Sequence, residues 1–146
     1  MPDNDAALAA RLAAELRTTL GLLKRKLRQQ GGRHNLTSSQ IAVILRLERD
    51  GPATVSSLAR AEGMRPQSMS AVITPLEKVG FVAGTDDPKD GRKTLMSLTK
   101  VCRKQIEEGR AARQDWLAQV IQHRLSPQEQ KKLSSAVSLL ARIAED

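Results

Sequence analysis

Leucines recur every three or four residues through the first thirty positions, and this leucine stripe constrains the fold more than any other feature. The spacing places them on one face of a helix of about six turns, and we expect that helix to stop at Gly31 because glycine favours helix ends. A helix this long at one end of a 146-residue chain has little of its own domain to pack against. It therefore predicts a dimerisation element. The leucines are Leu8, Leu12, Leu16, Leu20, Leu23 and Leu27.

The charge of the chain points to an anionic partner. Its formal net charge is +8 and its pI is about 10.3, a balance typical of proteins that bind nucleic acid. The same charge would also suit a protein that binds an anionic membrane, or one whose surface is basic without any anionic partner. Residues 60–93 carry six Lys and Arg against five Asp and Glu, so charge alone does not locate a binding face.

Composition excludes several classes of protein. Aromatic residues make up only 1% of the chain, and the aliphatic remainder suits helices that pack on helices. The single cysteine, Cys102, excludes an internal disulfide framework and a cysteine-cluster metal site. No apolar run approaches the roughly 20 residues of a membrane span, and Arg11, Glu15 and Arg17 interrupt the N-terminal Ala/Leu stretch. We therefore expect a cytoplasmic protein with no signal peptide, membrane contact or cofactor.

Start and stop signals divide the middle of the chain into three short helices. The pattern from Thr37 to Gln40 predicts a capping box, and Ile41, Ile44 and Leu45 then recur at helical spacing. The second helix begins after a capping Thr and the third begins at a proline, the residue tolerated at a first helical position. The boundary residues of the three helices are Thr37 and Gly51, Thr54 and Gly63, and Pro66 and Gly80.

A hairpin and two longer helices complete the chain. Residues 81–83 and 94–98 are short segments bounded by turn formers, which predicts two strands. Residues 86–93 contain a proline, an Asp-Gly pair and alternating charges, which predicts an exposed loop between the strands. Thr99 opens a long helix, and a capping box at Ser126 with Glu129 opens the last one.

These elements predict the fold class. Two short helices joined by a glycine turn and followed by a hairpin with a basic tip form a winged helix-turn-helix, in which the second helix enters the DNA major groove. We therefore expect one mainly α domain with a small β-hairpin wing. Residues 37–99 form its DNA-binding lobe, and residues 1–33 and 100–146 form the flanking N- and C-terminal dimerisation helices.

The sequence resembles the MarR family of transcriptional regulators at three places. Residues 55–82 are similar to the family's helix-turn-helix, residues 87–93 followed by Leu98-Thr99 to its wing, and residues 125–129 to the start of its last helix. The wing pattern Asp-Pro-Lys-Asp-Gly-Arg-Lys is the most specific of the three. The resemblance implies a homodimer that binds double-stranded DNA at a pseudo-palindromic operator.

The resemblance also implies roles for single residues. Arg92 matches the wing arginine that enters the minor groove, and Asp90 matches the acid that orients wing side chains. Gln67 is suited to a bidentate contact with adenine, and Thr37 lies at a helix N-terminus suited to a phosphate. The candidate DNA-binding residues are Thr37, Ser38, Arg65, Gln67, Ser68, Ser70, Thr74, Lys89, Asp90, Arg92 and Lys93.

Two places depart from the family pattern. Ala83-Gly84 stand where family members often carry an arginine, so we expect Asp90 to depend on Arg92 or Lys93 instead. Pro75 lies inside the recognition helix, where it removes a backbone donor and predicts a kink near residues 71–75.

Three further features leave alternatives open. Cys102 is flanked by basic residues in a first helical turn, which lowers a thiol pKa and suits a redox sensor; a buried, inert thiol is the interpretation that we favour. Trp116 either lines a small-molecule effector pocket or belongs to the core, and we favour the core. His34 and His123 are too isolated to hold a metal, so no metal site is expected.

Two functions of different class follow. The first is a dimeric, sequence-specific transcriptional regulator, a repressor that a small-molecule effector releases from DNA. The second is a dimeric winged-helix adaptor for protein partners, which the near-neutral residues 60–93 favour. An enzyme is not expected, because the sequence offers no Gly-rich phosphate loop, no nucleophile with a base at suitable spacing and no carboxylate pair.

Overall fold

The structure, a computed structural model, describes residues 2–32 and 35–146. They divide into two compact units, which we call the helical unit (residues 2–32 and 109–146) and the winged-helix unit (residues 35–108). The mainly α architecture with one hairpin that the sequence predicts is confirmed. The elements are α1 (Pro2–Gln29), α2 (Ser38–Asp50), α3 (Val55–Ala61), α4 (Pro66–Lys78), β1 (Val82–Asp87), β2 (Asp90–Leu98), α5 (Lys100–Arg124) and α6 (Pro127–Ala144).

The helical unit exposes much of its apolar surface. On α1, Leu12 of the leucine stripe is 53% exposed, and on α6 Ile143 is 73% exposed. Among the described residues, the buried apolar side chains all lie between Val43 and Cys102, in the winged-helix unit. The long helices of the helical unit therefore have apolar faces without a buried core of their own.

The winged-helix unit has a continuous hydrophobic core. On α2, Leu45 is 40% exposed, although it shares the helical spacing of Ile41 and Ile44, and Val43 is buried. Val43, Ile44 and Leu47 share one face of the helix, and residue 45 lies roughly half a turn away from that face. The core residues are Val43, Ile44, Leu47, Leu58, Ala59, Met69, Ile73, Leu76, Val82, Met96, Leu98 and Cys102.

A glycine immediately after the C-cap of α3 sets the turn between α3 and α4. Gly63 has a φ of +65°, a conformation that side chains with a Cβ adopt only with strain. Its amide donates to the Arg60 carbonyl at 3.3 Å, and the Met64 amide donates to the Ala59 carbonyl at 2.8 Å. This pair of bonds is a Schellman motif, so the glycine turn predicted from the sequence is confirmed.

Helix α4 continues through its internal proline. It begins with Pro66 at the first helical position and runs to Lys78, so Pro75 does not end it. Proline has no amide hydrogen, so the Ala71 carbonyl receives no bond from position 75. The last four carbonyls of a helix lack helical partners in any case, and in α4 these belong to residues 75–78. The Ala71 carbonyl lies just before them, so the proline costs one hydrogen bond near the end of the helix.

The wing is a two-stranded antiparallel hairpin that is longer than the sequence predicts. Both strands extend into residues 86–93, and only Pro88 and Lys89 remain as the turn. The pairing steps from Asp87 opposite Asp90 to Asp86 opposite Thr94, so residues 91–93 of β2 have no opposite residue on β1. The predicted loop is therefore a strand pair with a bulge, a feature that redirects side chains.

Backbone hydrogen bonds join the wing to the helices. The segment between α2 and α3 pairs with β2 through Ala53, whose amide donates to the Met96 carbonyl at 3.0 Å and whose carbonyl accepts from the Met96 amide at 2.8 Å. At the base of the hairpin, the Thr99 hydroxyl donates to the Gly80 carbonyl and accepts from the Cys102 amide at 3.2 Å. The wing is thus held at both its centre and its base.

Two glycines permit a close backbone approach within the helical unit. Gly109 on α5 is buried, and a Cβ built there lies 2.7 Å from the Gly31 carbonyl oxygen. Because the obstructing atom belongs to the backbone, a side chain at position 109 forces the two segments apart. Gly21 lies in the middle of α1 and off the leucine stripe. A Cβ at this position would have no neighbouring side chain or packed segment within 4 Å.

We expect Gly109→Ala to lower the free energy of unfolding by about 1–3 kcal/mol, the usual cost of overpacking. Gly21→Ala is the matched control, because it has open space and gains about 1 kcal/mol of helix propensity. Thermal unfolding followed by circular dichroism measures both changes. Equal stabilisation by the two substitutions would show that the contact between Gly109 and Gly31 is not tight.

Candidate nucleic-acid interface

Helix α4 presents a polar stripe opposite its buried face. Met69, Ile73 and Leu76 are buried in the core. At 100° per residue, the positions on the opposite side are 67, 71, 74 and 78, and all four are exposed. We call these residues the outer stripe of α4: Gln67, Ala71, Thr74 and Lys78.

The candidates named from the sequence match this stripe in part. Gln67 and Thr74 lie on it, whereas Ser68 and Ser70 are exposed on its two sides. Ala71 and Lys78 were not among the residues predicted from the sequence. The apolar spacing of α4 contained the signal for both, because fixing the buried face fixes the residues opposite to it.

Arg65 is exposed at the N-terminal end of α4. It is the N-cap residue, with extended backbone angles, and its side chain makes no capping hydrogen bond. The guanidinium group is therefore not used to hold the helix end, which leaves its donors for an external partner.

The N-terminus of α2 contains backbone amides that have no acceptor within the helix. Thr37 Oγ1 accepts from the Gln40 amide at 3.2 Å, and Gln40 Oε1 accepts from the Thr37 amide at 2.9 Å, so the predicted capping box is confirmed. This box uses the Gln40 amide. The amides of Ser38 and Ser39 belong to the exposed first turn, where a helix has no internal acceptors for them.

Carboxylates organise the tip of the wing. Asp87 Oδ1 accepts from the Lys89 amide at 2.9 Å, and Asp90 Oδ1 accepts from the Arg92 amide at 3.1 Å. Arg92 Nε lies 3.7 Å from the same Asp90 oxygen, and the Arg92 side chain is 96% exposed. Of the two partners expected for Asp90, the structure shows Arg92. The Arg92 amide makes the main contact with the Asp90 carboxylate, because an ion pair this exposed adds little energy.

Lys93 completes the basic part of the tip. It is exposed and lies with Arg92 in the bulged segment 91–93. Both basic side chains therefore leave a stretch of strand that makes no pairing with β1. The bulged segment offers two cations whose backbone positions are set by the hairpin on either side.

An ion pair that the sequence did not reveal connects α2 to the turn before α4. Arg46 Nε lies 2.8 Å from Glu62 Oε1, with both side chains about a quarter exposed, and Arg46 Nη1 lies 3.6 Å from Asp50 Oδ2. Glu62 is the C-cap residue of α3. The pair therefore fixes the helix-turn-helix corner against α2. Its residues lie sixteen positions apart, a distance at which local patterns carry no information.

Cys102 lies in the core and not at a reactive surface. It is 2% exposed, and burial raises the pKa of its thiol, while Arg103 lowers this pKa and Glu48 raises it further. The flanking basic residues suggested the opposite direction, but desolvation outweighs them. The thiol is protonated at neutral pH, and the thiolate is the reactive form.

The remaining candidates do not form a site in the described residues. Trp116 is half-buried on α5, and His123 is exposed near the end of the same helix; His34 lies outside the described residues. Within residues 2–32 and 35–146, no three His, Cys, Asp or Glu side chains are grouped as metal ligands. In the same ranges, no helix combines the length and apolar character needed to cross a membrane.

Comparison with known proteins identifies the family. The sequence profile of the MarR family matches residues 36–94, which run from the start of α2 to the middle of β2. An HTH-type transcriptional regulator of Mycobacterium bovis, Mb0904, is 34% identical over 137 residues, covering 94% of this chain and 95% of the relative. The chain belongs to the MarR family. This family consists of transcriptional regulators and not of enzymes.

Solved structures agree with this MarR assignment. A protein from Pseudomonas aeruginosa described as a transcriptional regulator is 33% identical, covers 93% of this chain and 95% of its own, and superposes with a TM-score of 0.77. A variant of S. aureus MepR bound to an oligodeoxyribonucleotide is 18% identical, covers 91% and 97%, and has a TM-score of 0.67. The second likeness shows a shared fold.

In this MarR-family chain we expect Cys102 to react slowly with a thiol reagent such as DTNB, because the thiol is buried and protonated. The same protein in denaturant supplies the control, since unfolding exposes the thiol. Reaction of the folded protein as fast as that of the unfolded one would support the redox-sensor alternative.

Proposed function

We propose that this chain is a homodimeric, sequence-specific DNA-binding regulator, a repressor that a small-molecule effector releases from its operator. The observation that carries the proposal is the exposed outer stripe of α4, held in one compact unit with a basic wing, in a member of a family of transcriptional regulators. The oligonucleotide bound to the MepR variant supports DNA as the partner.

The proposed contacts follow the chemistry of each surface. The outer stripe of α4 enters the major groove, with Gln67 bidentate to an adenine. Arg92 enters the adjacent minor groove, where the negative potential favours a guanidinium group. The residues proposed to bind phosphates or the edges of the contact are Thr37 and Ser38 through the α2 N-terminus, and Arg65, Ser68, Ser70, Lys89 and Lys93 through side chains, with Asp90 orienting Arg92.

The uncovered faces of the helical unit support a dimer. Leu12 and Leu20 on α1 and Ile143 on α6 are about half exposed or more, and removing such side chains from water stabilises an association by about 25 cal/mol per Å². A two-fold dimer carries two α4 helices. Spaced by one turn of DNA, about 34 Å, they match the two halves of a pseudo-palindrome.

Release by an effector requires only a difference in affinity. A ligand that binds one spacing of the two α4 helices better than the other shifts the population towards that spacing. The effector site that the sequence offers is an aliphatic pocket bordered by Trp116, the less favoured of the two interpretations of this residue. Like the repressor role, the cytoplasmic location expected from the sequence stays a prediction.

For the dimer, we expect sedimentation at micromolar concentration to give twice the mass of the 16.0 kDa chain. Replacing Leu12 and Leu20 together with Glu should give a monomer, because buried unpaired charges oppose association. Leu45→Glu is the matched control: this exposed leucine lies in the other unit and its replacement leaves the dimer intact. A monomeric parent protein would contradict the proposal.

For DNA binding, we expect selection from random duplexes to enrich one pseudo-palindrome, with an affinity that falls steeply as salt rises. Arg92→Ala should weaken binding to the enriched duplex by about 1–3 kcal/mol. Arg49→Ala is the control, because this exposed arginine lies at the far end of α2 and pairs with its neighbour Asp50.

Failure to enrich any sequence, at low as well as high salt, would favour the adaptor for protein partners. An enriched sequence bound equally well by the parent protein and the Arg92 variant would remove the wing from the proposed interface and leave α4 as the recognition element.

A further inference from the structure

We propose that Thr74, together with Ala71, recognises thymine through its C5-methyl group, so that α4 selects a half-site containing A·T pairs. The inference rests on the proposed DNA-binding function and deepens it, because it states which bases the outer stripe prefers. It depends on a hydrogen bond within α4 and on the absence of side-chain hydrogen-bond donors at the centre of the outer stripe.

The hydroxyl group of Thr74 is already engaged. Thr74 Oγ1 donates to the Ser70 carbonyl at 2.8 Å, and a threonine has one hydroxyl hydrogen to give. The side chain therefore offers an external partner its methyl group and the lone pairs of its oxygen, but no donor.

The neighbouring position of the outer stripe is equally without a donor. Ala71 is exposed and offers only a methyl group. Positions 71 and 74 are adjacent on the helix surface, since residues three apart lie on the same face. The centre of the outer stripe is thus a small apolar surface.

Guanine does not suit this surface, and thymine does. In the major groove guanine presents two acceptors, N7 and O6, which arginine or lysine usually satisfies, whereas thymine presents a methyl group that alanine and threonine methyls contact. From Pro66 to Glu77, α4 contains no arginine or lysine; Lys78, the last residue of the helix and of the outer stripe, lies one turn beyond Thr74. Gln67, one turn before Ala71 on the same stripe, has the amide that pairs with adenine.

Cytosine is the competing base, because its amino group donates a hydrogen bond that the Thr74 oxygen can accept. Thymine is favoured because Ala71, the adjacent side chain of the stripe, has no acceptor to match cytosine. The two bases make opposite demands on Thr74: thymine needs its methyl group and cytosine needs its oxygen.

The test uses the full chain and the duplex enriched by selection, with each half-site thymine replaced in turn by deoxyuridine, which lacks only the methyl group. Loss of one buried methyl contact is expected to weaken binding about fourfold, and about fifteenfold when both half-sites are changed. At least one symmetric pair of thymines should show this loss in the parent protein.

Two variants of Thr74 separate its methyl group from its hydroxyl group. Thr74→Ser keeps the hydroxyl for the Ser70 carbonyl and removes the methyl, so it should discriminate less than the parent protein between the thymine and deoxyuridine duplexes, with Ala71 supplying the contact that remains. Thr74→Val keeps a methyl and removes the hydroxyl, so it should retain the discrimination. Glu77→Gln, at an exposed position of α4 outside the outer stripe and outside the proposed contacts, is the control that also retains it.

Melting curves establish that each variant is folded, which the exposure of both positions favours. Enrichment of an operator whose affinity is unchanged by deoxyuridine overturns this inference and leaves the proposed function standing. Two other results also overturn the inference alone. In the first, Thr74→Ser discriminates between thymine and deoxyuridine as well as the parent protein does. In the second, the parent protein prefers cytosine and Thr74→Val abolishes this preference. Enrichment of no sequence overturns both the inference and the proposed function.

Discussion

The pairing of Ala53 with Met96 is the interaction on which the winged-helix unit depends. It is a two-bond backbone bridge between the α2–α3 segment and β2, and Met96 is itself part of the core. Without the bridge the hairpin is a two-stranded sheet, which is only marginally stable in isolation. The bridge adds a third segment to that sheet. In this way the position of the wing becomes tied to that of the helices.

The two units differ in how far they bury their own apolar side chains. The winged-helix unit buries its own core, and its corner is further fixed by the Arg46–Glu62 ion pair. The helical unit contains long helices whose apolar faces are uncovered. Isolated helices gain most of their stability from packing, so the same sequence that makes one unit self-sufficient leaves the other dependent on an additional surface.

Local signals predicted the helices well, because capping is local chemistry. The boxes at Thr37 and Ser126 and the glycine at position 63 act within a few residues of the chain. Features that depend on distant contacts were missed or misjudged. The extent of the strands follows from cross-strand pairing, and the outer stripe from the choice of buried face. For this reason Ala71, which has no distinctive chemistry, was not named as a candidate.

The bulge at residues 91–93 separates two properties that a hairpin usually couples. Pairing between residues 82–86 and 94–98 is continuous below it, so the strands hold their alignment whatever the side chains above. Substitutions in the bulged segment can therefore alter the charge and reach of the tip while the hairpin stays in register. A descendant of this protein could acquire a new flanking preference by changing two or three residues, with no cost to its folded core.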